Sequence, residues 1–291
     1  MKKINIFCFG FGQVAKNFVK KISSQNLKID LGVTSTSKTF DKKFCGIKYK
    51  NYYFKNNKYD ASLEKKLKTS EYILISIPPL KGEDLVLKHF SKKIQSYKPK
   101  WVTYLSATSV YGDHKGKWVN EKSLTKPTSI NGIERLKVEK SWLKLVKEKK
   151  IPIQIFRLSG IYSNTSNVLV RLKNHKTFLI KKRNHFFSRI HVKDIADVLF
   201  KSLSKFKSGE IYNISDDIPA SSFDVTLYGA KLLNISRPRI IKVSQIKSKM
   251  LKNFYKDSKK VSNKKMKRYF NYNLNFPSYK EGLDYERNNL A

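Results

Sequence analysis

Continuous apolar runs and helical periodicities alternate along the first half of the chain. The runs read as buried parallel strands, and apolar residues every three to four positions read as helices with one buried face. Strands are expected at residues 4–9, 27–34, 72–77, 101–105 and 153–158, with helices over 13–22, 83–94 and 133–147. A third strand falls loosely within the polar, aromatic stretch 49–59. This alternation predicts an α/β fold built on a Rossmann-type doubly wound parallel sheet. Beyond Gly160 the elements shorten: a turn at 163–167, a strand-like 186–192 leading into a helix with Asp194 as its N-cap, a strand at 210–214, and then helical segments. These predict a smaller C-terminal α+β lobe.

Composition sets the bounds. A chain of 291 residues with 40% hydrophobic content has room for one large domain or one domain with a smaller lobe. No run approaches the roughly 20 apolar residues a membrane helix needs, and the first strand stops at Gly10 without a cleavage site. Neither export nor membrane insertion is expected, which leaves the cytoplasm. Cys8 and Cys45 have no metal-ligand or redox spacing, so both are expected to be reduced and structural, with no metal site.

Charge is the unusual feature, with 61 Lys plus Arg against 22 Asp plus Glu and a formal net charge of +39. The lysines are spread from Lys2 to Lys280, without an arginine-rich arm, zinc-finger spacing or aromatic RNA-binding signature. The distribution reads as a solvated basic surface with weak, salt-sensitive attraction to polyanions and no specific nucleic-acid site.

Gly10-Phe11-Gly12-Gln13-Val14-Ala15 has the form G-x-G-x-x-A, placed after a buried strand and opening a helix. Gly10 permits a tight turn, Gly12 lets the backbone approach a pyrophosphate, and Ala15 allows close packing of helix on strand. The phosphates of a nicotinamide dinucleotide would sit at the helix N-terminus beside Phe11, Gln13 and Val14. The second strand ends in Thr34-Ser35-Thr36-Ser37-Lys38, without the carboxylate that usually receives a ribose 2′-hydroxyl. Thr34, Thr36 and Lys38 would instead receive a 2′-phosphate, which favours NADP over the alternative, NAD. Two further strand ends face the same edge: Ser76-Ile77-Pro78-Pro79, with Ile77 and Pro78 against the cofactor, and the hydroxyl cluster from Ser106 to Gly112.

These motifs, with Phe156-Arg157-Leu158-Ser159-Gly160-Ile161-Tyr162 and Ser188-Arg189-Ile190-His191-Val192-Lys193-Asp194, resemble the short-chain dehydrogenase/reductase superfamily in its atypical extended, epimerase/dehydratase-like branch. The resemblance implies a dinucleotide-binding domain over 1–160, completed by parts of 186–215, and a discontinuous substrate-side lobe over 161–291. It also implies a small-molecule substrate, often a sugar nucleotide, and leaves a homodimer open. The family's tyrosine–lysine pair corresponds to Asn131 and Arg135, and its serine or threonine to Ala107, flanked by Ser106 and Thr108. Asn131 exchanges no proton near neutral pH, and Arg135 is a fixed cation left to bind a ribose hydroxyl. Thr108 and Tyr111 therefore stand as candidates for the proton donor, with the substrate itself as a third. Phe187 occupies the place of a substrate-binding arginine, for which Arg189 is a possible substitute, and His191 is expected to be packed and hydrogen-bonded. Turn 163–167 lacks the family's glycines, so a differently shaped substrate loop is expected. Two classes of function remain: an oxidoreductase or epimerase-like enzyme with an atypical site, and a catalytically silent NADP(H) sensor or scaffold. A polyanion-binding protein has only the net charge in its favour.

Overall fold

The computed structural model describes residues 3–80, 82–174 and 177–290. In chain order it begins β1 (Lys3–Phe9), α1 (Gln13–Ser23), β2 (Lys28–Ser35), β3 (Phe40–Phe44), β4 (Ile47–Lys55), β5 (Lys58–Tyr59), α2 (Ser62–Lys68), β6 (Tyr72–Ile75), α3 (Leu85–Tyr97) and β7 (Trp101–Ala107). It continues with β8 (Trp118–Val119), α4 (Ile130–Lys149), β9 (Ile153–Leu158), β10 (Gly160–Tyr162), α5 (Val168–Lys173), β11 (Leu179–Ile180), β12 (Arg189–His191) and α6 (Val192–Ser202). The last elements are β13 (Ile211–Ile214), α7 (Ser222–Leu232), β14 (Ile240–Ile241), α8 (Lys249–Phe254), β15 (Lys260–Val261), α9 (Lys264–Phe270) and α10 (Tyr279–Asn288). The chain falls into two compact units that alternate along it: residues 1–106, 134–157 and 195–211, and residues 107–133, 158–194 and 212–291.

In the first unit the strands run β9-β7-β6-β1-β2-β4-β3, with β5 on β4. Neighbours from β7 through β6, β1 and β2 to β4 are parallel, and β3 is antiparallel to β4. The chain moves outward from β1 to β2 and β4, then returns to the other side of β1 with β6. That reversal is a topological switch point, where open α/β sheets bind ligands at the carboxyl ends of their strands. Helix α1 explains its own position: Val14, Ala15, Phe18, Val19 and Ile22 form one buried face. Phe7, Phe9, Ile73, Phe90 and Trp142 are fully buried in one cluster. Asp84 caps α3 by accepting the Leu87 N–H at 2.8 Å.

The hairpin β3–β4 is where sequence and structure part most clearly. It turns on Cys45 and Gly46, with φ of 49° and 78°, the left-handed pair that tight hairpins favour. Cys45 is exposed there, which corrects the expectation that both cysteines are structural; Cys8 is buried in β1.

In the second unit β10 pairs in parallel with β12, and α5, α7 and α10 pack around Leu169, Val225 and Leu283. Asp194 is not an N-cap, because α6 starts at Val192 and Asp194 lies in its first turn. Its carboxylate accepts the Tyr272 hydroxyl at 2.7 Å and the N–H groups of Asn275 and Phe276 at 2.8 and 3.2 Å. It holds the C-terminal segment rather than its own helix. Turn 163–167 closes without glycine because Asn167 caps α5, accepting from Leu169 and Val170 at 2.7 and 3.1 Å.

Candidate functional site

The carboxyl ends of β1, β2 and β6 meet in the first unit. Gly10 has φ of 87°, and its N–H donates to Thr34 Oγ1 at 2.8 Å. Ser76 reaches across from β6, its N–H and hydroxyl both donating to the Phe9 carbonyl at 2.9 Å. A Cβ at Gly10 would stand 2.7 Å from Ile77 Cγ2 and 2.8 Å from Ser76 Oγ, so backbone geometry and crowding both require glycine there.

Gly12 differs. It is the N-cap of α1, its backbone is extended at φ −81°, no side chain caps the helix start, and the first turn holds no acidic residue. A Cβ built on Gly12 meets nothing within 4 Å. This glycine is not needed to pack the fold, and it leaves clear space before the positive end of a helix dipole, which fits a pyrophosphate. Beside it, Gln13 is exposed, Val14 is buried in the core with only its backbone at the turn, and Phe11 packs on Phe44 and Tyr49 with ring centroids 5.4 and 5.1 Å apart. Ile77 is half-buried and Pro78 exposed after β6.

Of the groups expected to meet a 2′-phosphate, Thr36 and Lys38 are exposed. Thr34 is only 2% exposed, and its hydroxyl oxygen is engaged by Gly10, so it braces the turn. Sequence reasoning missed Asp60, which Thr39 Oγ1 ties to the loop after β2 at 2.6 Å. Hydrogen bonds from Ser62 and Thr39 hold its carboxyl down at about 2. No local motif announces that contact.

At the end of β7, Ser106 is buried with its hydroxyl unpartnered. Arg135 on α4 donates from one guanidinium nitrogen to the Leu105 carbonyl at 3.1 Å. One turn later Glu139 receives Arg157 in a buried fork, with Nε at 3.1 Å from each carboxylate oxygen and an NH2 group 2.7 Å from Oε2. Burial raises the pKa of the Tyr104 phenol, and the nearby Asp84 carboxylate adds to the shift.

In the second unit, residues Thr108–Tyr111 form one 3-10 turn. Thr108 is half-buried. Tyr111 is fully buried and its hydroxyl lies 2.7 Å from Asn213 Oδ1, to which it donates. That hydrogen bond engages the hydroxyl inside the unit. Gly112 closes the turn at φ 69° and ψ −149°, where a Cβ would fall 1.8 Å from the Lys126 carbonyl oxygen. Asn131 is exposed.

Residues 86–215 match the model of the NAD dependent epimerase/dehydratase family. Over that segment the chain is similar to this family. The matched segment starts inside α3, so the Gly10–Ala15 turn lies outside it. Three solved structures share the fold of this chain. A conserved protein of unknown function from Silicibacter pomeroyi is 28% identical, covers 100% of this chain and 99% of its own, and superposes with a TM-score of 0.86. A dTDP-glucose 4,6-dehydratase from Bacillus anthracis in complex with NAD is 17% identical over 99% of this chain and 96% of its own, with a TM-score of 0.78. A UDP-N-acetylglucosamine 4-epimerase from Bacillus cereus is 14% identical over 100% and 99%, with a TM-score of 0.73. The latter two speak for the fold alone. No curated protein matches this chain. No helix among the described residues is long and apolar enough to cross a membrane.

Two further conspicuous residues, His191 and Arg189, are committed within the second unit. His191 is fully buried, with Nε2 2.7 Å from Glu286 Oε1 and Nδ1 accepting the Lys193 N–H at 3.2 Å. Both ring nitrogens are thus engaged inside the unit. Arg189 donates to the carbonyls of Phe187 and Ala220 at 3.1 and 2.9 Å, and its guanidinium stands 5.8 Å from the Phe187 ring centroid.

Proposed function

We propose that this chain is an oxidoreductase or epimerase-like enzyme that binds NADP(H) in preference to NAD(H) at the Gly10–Gln13 turn. It acts on a small molecule of the sugar-nucleotide kind without a tyrosine–lysine relay. The observation that carries this reading is the uncapped start of α1 with open space at Gly12, set at the switch point of the sheet. Gly10, Gly12 and the first amides of α1 would hold the pyrophosphate, and Thr36 and Lys38 the 2′-phosphate. The nicotinamide, when bound, supplies hydride exchange.

The chain's own residues then define what is left of the acid–base machinery. Arg135 keeps its charge at all working pH values, so it holds a hydroxyl but passes no proton. Asn131 orients without exchanging protons, and Tyr111 is engaged by Asn213. Of the two candidate donors, Thr108 and Tyr111, this leaves Thr108, beside the substrate's own groups. A positioned acid contributes about 10² to 10⁴-fold, so turnover without one is slow rather than absent. The engagement of Tyr111 also favours a second reading, a silent NADP(H) sensor. Binding without turnover on carbonyl and sugar-nucleotide substrates selects it.

Fluorescence titration tests the cofactor assignment. NADPH is expected to bind at least about fivefold more tightly than NADH, and Lys38→Glu to reverse the order, since a carboxylate repels the 2′-phosphate and accepts a 2′-hydroxyl. Equal affinities for the two cofactors in both proteins would contradict it.

A further inference from the structure

We infer that the outer edge of the first unit's sheet, on β2, β3 and β4, binds a second ligand: a small molecule bearing a di- or triphosphate. A groove of about 720 Å³ opens there, lined by five lysines and two aspartates from these strands and α2. Its volume falls within the range of small-molecule pockets, about 300–1,000 Å³. It adjoins the Gly10–Gln13 turn at Tyr49, which lines the groove and packs on Phe11, but its charged lining is drawn from other residues. The groove uses Asp30, Leu31, Lys48 and Lys50, in the early halves of the parallel strands β2 and β4, whereas the turn follows the carboxyl end of β1 and leans on Thr34 near the end of β2.

Strand register gives the groove its charge. In the β3–β4 ladder Lys43 stands directly opposite Lys48, and Asp41 opposite Lys50. Like charges directly across a ladder repel. Asp30 does not relieve them, because its carboxylate already pairs with Lys3 at 3.2 Å and with Lys66. Among the described residues no carboxylate lies within ion-pair distance of Lys43 or Lys48. Two lysines at directly opposite ladder positions without a counterion gain most when one polyphosphate neutralises both. Asp30 and Asp41 interrupt the basic strip. They disfavour a continuous phosphodiester backbone and offer acceptors to the hydroxyls of a phosphorylated sugar or nucleoside.

The test is calorimetric titration of inorganic tripolyphosphate into the full chain at low salt. It compares wild type, Gly12→Val, Lys43→Gln with Lys48→Gln, and a control that removes two exposed lysines elsewhere, Lys20→Gln with Lys122→Gln. Saturable binding is expected to survive in Gly12→Val and in the control, and to weaken at least about tenfold in Lys43→Gln with Lys48→Gln. Without anion, that double variant melts no lower than wild type, because it loses a repulsion. Equal loss in the control would show a general basic surface and overturn the site. So would loss confined to Gly12→Val, or tighter saturable binding of a single-stranded oligonucleotide through Lys43 and Lys48.

Discussion

Glu139→Gln is expected to lower unfolding stability by about 3–5 kcal/mol, the range for breaking a buried ion pair by removing one partner. Arg157 and Glu139 are 4% and 1% exposed, and the fork between them joins α4 to β9 inside the first unit. The variant keeps the volume of the side chain but leaves a buried guanidinium facing a neutral amide. The cost arises from that uncompensated charge, not from an intrinsic strength of the pair. Replacing both partners with apolar residues, Glu139→Leu with Arg157→Met, is therefore expected to restore most of the loss. Urea unfolding of wild type, single and double variants checks this. A single variant within about 1 kcal/mol of wild type would show that the fork is not the tie between α4 and β9.

Wild type is expected to lose about 3 kcal/mol more than His185→Phe as pH falls from 7 to 4. His185 is 3% exposed, stacked on Tyr255 at 5.0 Å and edge-on to Phe187 at 4.5 Å. Burial, with the Lys182 ammonium adding to it, pushes the imidazole down to about 4. The carbonyls of Tyr255 and Asp257 and the Asp113 carboxylate oppose that shift. An unfolded histidine titrates near 6.5, so between 6.5 and 4 the unfolded chain binds the proton and the folded one does not. Stability from the neutral ring is complete above about 6.5 and is lost as pH falls through 4. Phenylalanine keeps the ring contacts and removes the titration. Parallel stability curves for the two proteins would contradict the assignment.

The parallel core was legible because burial on both faces turns a strand into an unbroken apolar run, as in β1, β6, β7 and β9. Strand β3 was not, since Phe40–Phe44 is an edge strand with no buried position and hence no apolar pattern to read. Helix α2, seven residues long, gave too short a period. The tight turn at Gly10 was readable because its requirement is local to the backbone. The commitments of Tyr111 to Asn213 and of Asp194 to Tyr272 span 102 and 78 residues of chain, and no spacing rule reports them. Asp194 was read as a cap from its position before an apolar run, a local signal overridden by the C-terminal segment that folds onto it. Thr34 shows a third case: its hydroxyl accepts from Gly10 and serves the turn itself, a contact that spans 24 residues of chain.

The central claim is that the start of α1 holds the pyrophosphate of a nicotinamide dinucleotide, and Gly12→Val tests it most directly. A Cβ at this position meets nothing within 4 Å, so the variant is expected to fold, with a stability change within about 1 kcal/mol for a poorer N-cap. The same side chain projects where the phosphates would lie. NADPH titration followed by fluorescence is expected to show affinity weakened by at least about 30-fold, or 2 kcal/mol, against wild type. A folded variant that binds NADPH as wild type does would place the cofactor elsewhere and contradict the account.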